Sequence, residues 1–272
     1  MSRIKIMING IPGKVAVNIF QHALNDNRFE LLNYSLTGPE ISINEYTVES
    51  KVIKLIKPDE KQKKIKQIIK NNNDFISIDF THPSAVIENA SFYCDNKLPF
   101  VMGTTGGDRD KLEKIVSSSK VSAVIAPNMA KQIVAFQAMI KYAADNFPGV
   151  FNGYSMEILE SHQKSKADVS GTAKAMLVYF QKMGISVDEK NIFKERNPDI
   201  QKERLGVPEQ HLDGHAWHTY AISSEDDTSF FQFTHNINGR DIYSLGTLDA
   251  VYFLSKRIKD ARLYNMLDVL KG

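Results

Sequence analysis

The chain has a single cysteine, Cys94, in 272 residues. That excludes an internal disulfide framework and agrees with a reducing compartment. Cys94 reads as a small helical side chain rather than a nucleophile. No apolar run approaches the length needed to span a bilayer. Net charge is only +2, so there is no broad electrostatic case for nucleic acid or an anionic membrane as partner. Internal repeats and low-complexity segments are also lacking. The start, Met1-Ser2-Arg3-Ile4-Lys5-Ile6-Met7-Ile8, shows neither a signal-type apolar region nor a Ser/Arg-rich transit composition, so the expected location is cytoplasmic. What is present is an ordinary globular balance, 42% apolar and 24% charged.

The periodicities alternate. Residues 4–8 read as a strand, a glycine turn follows, and an amphipathic helix runs to about residue 25. Residues 29–36 read as a second strand, residues 46–56 as strand-like, and residues 58–73 as a Lys-rich helix with Ile65, Ile68 and Ile69 on one face. Strands over 75–80, 100–102 and 121–125 are each followed by a helix, over 84–96, 108–118 and 131–146. Strands alternating with helices imply an α/β, Rossmann-like, doubly wound parallel sheet with right-handed crossovers. After Pro148-Gly149 the pattern changes. A strand over 154–160 and a helix over 170–183 precede a charged loop over 188–214. Strands over 216–223 and 229–234 flank a turn, which predicts an antiparallel pair in a second, α+β domain. Residues 241–258 read as a helix with a short tail after it.

Four turns carry chemistry. Gly10-Ile11-Pro12-Gly13-Lys14-Val15-Ala16 stands between a strand and a helix, the context in which a pyrophosphate rests on a helix N-terminus. It is not a P-loop, because the glycines are too close and Val15 follows Lys14. A dinucleotide site commonly has Asp or Glu at the end of the second strand, on the ribose 2′-hydroxyl. Here that strand ends Ser35-Leu36-Thr37-Gly38, where Ser35 and Thr37 could donate to a 2′-phosphate. This favours NADPH, or tolerance of both NADPH and NADH, over strict NADH use; Thr37 could equally just end a strand. Gly103-Thr104-Thr105-Gly106 closes a later strand and is placed to line the nicotinamide side of a crevice. Ala126-Pro127-Asn128-Met129 follows the next strand, with Asn128 able to meet a carboxamide.

The fourth stretch, Ser161-His162-Gln163-Lys164-Ser165-Lys166-Ala167-Asp168-Val169-Ser170-Gly171-Thr172-Ala173, organises the rest. It combines a titratable imidazole at His162, a fixed cation at Lys166, and a Ser-Gly-Thr helix start whose N–H groups form an anion site. The implied ligand is a small carboxylate. His215, His218 and His235 are spaced like strand residues, not zinc ligands, and no metal is expected.

Together these motifs resemble dihydrodipicolinate reductase (4-hydroxy-tetrahydrodipicolinate reductase). The resemblance rests on residues 10–16, Asp79-Phe80-Thr81, 103–106, 126–128, Glu160 through Ala173, and residues 235–246. Gln163 stands where the usual signature has a second histidine, and the link through Asp168-Val169 to Ser170 is one residue short. Both features, with Met102 through Arg109, Lys131-Gln132 and Tyr264-Asn265-Met266, are similar to the plant-type branch. The resemblance implies a dinucleotide-binding domain over 1–129, a substrate-binding and oligomerisation domain with an open mixed sheet over 130–238, and a C-terminal helix, 239–272, returning to the first domain. It implies NAD(P)H-dependent reduction of a small cyclic dicarboxylate on the diaminopimelate route to lysine. His162 and Lys166 would be catalytic; Gln163, Ser170, Gly171 and Thr172 would hold substrate. Gly10, Ile11, Pro12, Gly13, Lys14, Val15, Thr37, Gly103, Thr104, Thr105, Ala126, Pro127, Asn128 and Met129 would hold cofactor. A homo-oligomer, tetramer or dimer, is implied as well. Two alternatives are a non-catalytic NADPH-sensing Rossmann protein and another two-domain dehydrogenase with a different small carboxylate.

Overall fold

A computed structural model describes residues 3–272; Met1 and Ser2 lie outside the described residues. In chain order its elements are β1 (Ile4–Asn9), α1 (Lys14–Leu24), β2 (Phe29–Leu31), β3 (Tyr34–Leu36), β4 (Glu45–Val48), β5 (Lys51–Ile56), α2 (Lys61–Asn72), β6 (Ile76–Asp79), α3 (Val86–Asp95), β7 (Phe100–Met102), α4 (Arg109–Ser118), β8 (Ala123–Ile125), α5 (Lys131–Asn146), β9 (Tyr154–His162), α6 (Gly171–Lys182), β10 (Ile192–Glu195), α7 (Pro198–Glu203), β11 (His215–Ser224), β12 (Phe230–Asn238), α8 (Asp241–Ser255), β13 (Leu263–Tyr264) and α9 (Met266–Lys271). The chain divides into two compact units, one reaching Val134 and resuming at Asp241–Gly272, the other Ala135–Arg240. The first cut falls inside α5.

In the first unit six strands pair in the order β13-β8-β7-β6-β1-β2, every neighbour parallel. Short runs such as Ile76-Ser77-Ile78-Asp79 are buried throughout, as strands covered on both faces must be. One face packs on α1, α8 and α9 through Ile19, Phe20, Val251, Leu254 and Met266. The other packs on α2, α3 and α4 through Ile65, Tyr93, Leu112 and Val116. The chain runs outward from β1 to β2 and, in the opposite direction, to β6. The switch point is therefore at the carboxyl ends of β1 and β6, where α/β sheets bind ligands.

Three expectations fail locally. The single strand over 29–36 is two strands: β2 joins the large sheet and β3 a separate three-stranded sheet of order β3-β5-β4. The apolar doublet Leu31-Leu32 breaks the period of two, so the chain must bend there. The strand over 46–56 is likewise a hairpin, β4 and β5, turned at Glu49 with φ 53°. The loop over 188–214 contains β10 and α7, whose N-cap Asn197 accepts from Asp199 N. The tail adds β13 to the large sheet beside β8.

The second unit is a mixed sheet of order β10-β9-β11-β12, with β10 parallel to β9 and the remaining pairs antiparallel. Its inner face packs on α5 and α6 through Met156, Ile158, Tyr220, Ile222, Ala144, Met176 and Phe180.

Candidate active site

The turn after β1 is shaped for an anion. Gly10 has φ 106°, and a Cβ there would strike the Phe80 carbonyl, so only glycine serves. Gly13 is the N-cap of α1 and supplies no side-chain cap. The first N–H groups of the helix, at Lys14 and Val15, are thus left for a ligand, which is what a pyrophosphate requires. A cavity of about 900 Å³ opens beside this turn, lined among others by Gly10, Pro12, Gly13, Thr37, Glu40 and Thr81. Uncapped helix start and adjacent cavity fit a dinucleotide.

Ser35 and Thr37 do not do what the sequence suggested. Ser35 is fully buried, and its hydroxyl accepts from Ile11 N at 3.2 Å and donates to the Leu36 carbonyl at 3.3 Å. The Thr37 hydroxyl donates to the Ile11 carbonyl at 3.0 Å. Both hold the shape of the turn, and neither has a proton to spare for a 2′-phosphate. A carboxylate is present after all: Glu40 folds back over Gly38 on the cavity wall. It escaped the sequence reading because it stands beyond Pro39, past the end of the strand.

Asp79 ends β6 and is completely buried. Its Oδ1 accepts from Thr81 N (3.2 Å), Thr81 Oγ1 (2.9 Å) and Thr104 Oγ1 (2.7 Å). Its Oδ2 accepts from Asn89 Nδ2 (3.0 Å) and the Tyr93 hydroxyl (2.7 Å). Burial, then the neighbouring Asp79 charge, pushes the Tyr93 hydroxyl well above its ordinary pKa, so it stays a donor. Thr104 is tied down by this network, whereas Thr105 is exposed. A Cβ on Gly103 would meet the Phe80 ring, so that close approach demands glycine. After β8, Ala126 and Met129 are buried, Pro127 is exposed, and Asn128 Oδ1 accepts from Ala130 N at 2.9 Å. The Asn128 amide N–H group remains available to a ligand.

In the second unit β9 delivers Glu160 and His162 to the inner face, since strand side chains alternate. His162 is 6% exposed. Its Nδ1–H donates to the His215 carbonyl at 3.2 Å, which fixes the tautomer and leaves a lone pair on Nε2. Nε2 has no partner among the described residues. Burial, and then the positive charges of Arg196 and Lys166, lower the His162 pKa to about 3. The imidazole is therefore neutral at physiological pH. Ser170 caps α6, its hydroxyl accepting from Thr172 N at 3.2 Å. That engages one N–H of the expected anion site and leaves Gly171, where an added Cβ would point into open space. Gln163 is half-buried, and its carbonyl accepts from Lys166 N at 3.0 Å, closing the turn that presents Lys166.

The sequence reading missed what holds this loop. Arg196, just after β10, donates from Nε to the Lys166 carbonyl (2.8 Å) and from Nη1 to the Glu160 and Glu195 carbonyls (3.2 and 2.9 Å). Its Nη2 pairs with Glu160 Oε1. Glu160 Oε2 accepts from Ser170 N at 2.9 Å. Fully buried Gln201, on α7, donates to the His162 carbonyl at 2.7 Å. The Asn197-Pro198 helix start was the available signal.

His215 takes a Ser161 hydroxyl at 2.8 Å, consistent with a structural role. His218 and His235 face each other across the strands and stack at 4.7 Å. Donor atoms of Glu160, His162 and His218 lie within 4.8 Å of one another. Arg196 and Ser170 N already occupy both Glu160 oxygens, and the adjacent cations oppose a divalent ion.

A helix-start anion cradle on a doubly wound sheet, with an imidazole and an ammonium on a separate mixed sheet, defines a two-unit oxidoreductase of the nicotinamide-dependent class. Two family models match the chain, dihydrodipicolinate reductase N-terminus over residues 4–129 and C-terminus over residues 132–270. It is 44% identical over 271 residues to 4-hydroxy-tetrahydrodipicolinate reductase 1, chloroplastic, of Arabidopsis thaliana, covering 98% of this chain and 78% of the relative. It is 25% identical over 279 residues to 4-hydroxy-tetrahydrodipicolinate reductase of Methanococcus aeolicus, covering 98% of each. A dipicolinate-bound dihydrodipicolinate reductase from Paenisporosarcina superposes with TM-score 0.66 at 19% identity, over 97% of this chain and 98% of that one, and shares its fold. The chain belongs to the dihydrodipicolinate reductase family.

Proposed function

We propose that the chain reduces 4-hydroxy-tetrahydrodipicolinate to tetrahydrodipicolinate with NADH or NADPH. The single observation that carries the site assignment is the His162 imidazole, neutral, tautomer-fixed and free at Nε2, on a loop that also presents Lys166. The nicotinamide nucleotide supplies hydride to the substrate ring. The ring loses its hydroxyl as water, hydride takes its place, and one proton is consumed. Lys166, the charged partner, donates that proton to the departing oxygen. His162 Nε2 accepts and returns a proton as charge redistributes on the ring. Gln163, the Ser170 and Thr172 hydroxyls and the Gly171 N–H group at the α6 start receive the carboxylates, whose negative charge the helix start favours. Neither alternative reading requires an imidazole and ammonium arranged in this way.

Glu40 bears on the choice of nucleotide. Its carboxylate on the cavity wall suits a ribose hydroxyl and repels a 2′-phosphate, so NADH is expected to serve at least as well as NADPH. Absorbance at the nicotinamide band, with substrate made freshly by dihydrodipicolinate synthase, tests both points. Absence of turnover with either nucleotide sinks the reductase reading. A kcat/KM for NADPH tenfold above that for NADH removes the role of Glu40 alone. We also propose a homo-oligomer built on the outer face of the mixed sheet, where Phe193 and Phe230 are 63% and 61% exposed beside an apolar hollow. Light scattering should return a mass above 30.7 kDa that falls in Phe193→Asp. No helix of the described residues is long and apolar enough to cross a membrane. We place the chain in the cytoplasm; the Arabidopsis relatives are named chloroplastic.

A further inference from the structure

We propose that Asp79 is a positioning residue whose buried charge fixes the turns that bind the nicotinamide nucleotide. The inference rests on the nucleotide reading of the cavity beside Gly10. An ionised carboxylate out of water is unfavourable unless hydrogen bonds replace its hydration. Asp79 is fully buried, and none of the described residues pairs a lysine or arginine with it. Five donors hold it instead, and they come from different segments. Thr81 follows β6, Thr104 follows β7, and Asn89 and Tyr93 project from α3. The Asp79 carbonyl also accepts from Gly103 N at 3.0 Å and Thr104 N at 3.3 Å. One residue therefore pins the turn after β7 by both its main chain and its side chain.

The network continues to β1. Asn9 donates to the Tyr93 hydroxyl at 3.1 Å and accepts from Leu36 N at 2.9 Å. Asp79 itself thus holds the turns after β6 and β7, while Asn9 ties β1 to β3 on its own and meets the cluster only at its rear, through Tyr93. Thr81 and Asn89 are themselves part of the cavity wall. The two carboxylate oxygens divide the work. Oδ1 holds the two threonines of the turns, whereas Oδ2 holds α3 from behind. A neutral amide cannot accept from all five donors, because one of its two arms is itself a donor. Core stability alone would be served as well by apolar residues of similar size. A carboxylate here makes sense if the position of the turns matters.

The test compares Asp79→Asn with Tyr93→Phe, which removes one donor on the Oδ2 side away from the turns. NADH affinity, melting temperature and substrate KM are measured on the full chain. Both variants are expected to melt at lower temperature. Asp79→Asn should weaken NADH at least tenfold with substrate KM within twofold. Tyr93→Phe should leave NADH affinity within twofold. Equal NADH affinity in the two variants at equal loss of melting temperature overturns the positioning role while leaving the nucleotide reading intact. A wild-type chain that binds neither NADH nor NADPH overturns that reading and this inference together. Should Asp79→Asn fail to fold, Thr104→Val and Thr81→Val carry the test. Each should weaken NADH at least threefold, and unchanged affinity in both overturns the proposal.

Discussion

His162 shows how much a side chain's surroundings add to its identity. An exposed histidine titrates near neutrality, but this one is neutral because burial and two nearby cations oppose a second proton. It enters the reaction as an acceptor, so Lys166 is the proton source. His162→Asn keeps the size and polarity but lacks the basic nitrogen, and kcat should fall by about 10²–10⁴-fold. Lys166→Met should do the same, with NADH affinity unchanged in both variants by fluorescence titration. Near-wild-type turnover in both would remove the assignment. Gln163 offers a hydrogen bond from an uncharged donor to a carboxylate, of about 1.5–3 kcal/mol. Gln163→Ala is therefore expected to raise substrate KM by about ten- to a hundredfold with kcat unchanged; a proportionate loss of kcat would mean that Gln163 acts in the transition state.

The segment formed by β10 and α7 determines where the catalytic loop sits. Arg196 has three nitrogens committed to the Lys166, Glu160 and Glu195 carbonyls and to the Glu160 carboxylate, which is itself fully buried. Removing one partner of a buried pair leaves the other uncompensated, at about 3–5 kcal/mol. Arg196→Met should cost that much in urea unfolding and lower kcat as the loop loses its anchor. Arg196→Lys should not rescue it, since a point charge cannot span the fork; full rescue would reduce the role of Arg196 to charge alone. None of this was legible from the run Ile192-Phe193-Lys194-Glu195, which is short, charged and lacks clean alternation. The elements read well were those with long periods or strong punctuation, such as α1 after Gly13, α4 after the N-cap Asp108, and α6 after Ser170. Strand pairing was harder to read. Residues 29–36 and 46–56 look continuous until hydrogen-bond partners send the halves of the first to different sheets and pair the halves of the second with each other. The same limit hid the Asp79 network. Its hydrogen-bonded partners are polar residues up to 84 positions apart, brought together only by the parallel sheet.

Titration of the whole molecule is unevenly distributed. Of seven histidines, the four with lowered pKa values, His162, His215, His218 and His235, all belong to the unit over Ala135–Arg240. Burial is the leading cause in each. His162 is lowered to about 3 and His235 to about 4, from an ordinary value of 6.5. Below pH 6.5 the unfolded chain takes up protons that the folded chain refuses, so stability is full above that pH and falls as the medium is acidified toward those values. At pH 5.5 His162 and His235 have each lost about 1.4 kcal/mol, about 3 kcal/mol together. That is a large part of the 5–15 kcal/mol typical of a domain. Trp217, the only tryptophan in the chain, lies in this unit on β11, so its fluorescence reports this unit rather than the other. Urea midpoints followed at Trp217 should drop steeply between pH 6.5 and 5 and level off above pH 7.5. His218→Phe removes one of the buried imidazoles and should make that dependence shallower. A Trp217 midpoint that is flat down to pH 5 would mean that these histidines are not held neutral in the fold, and the acceptor role of His162 would fail with it.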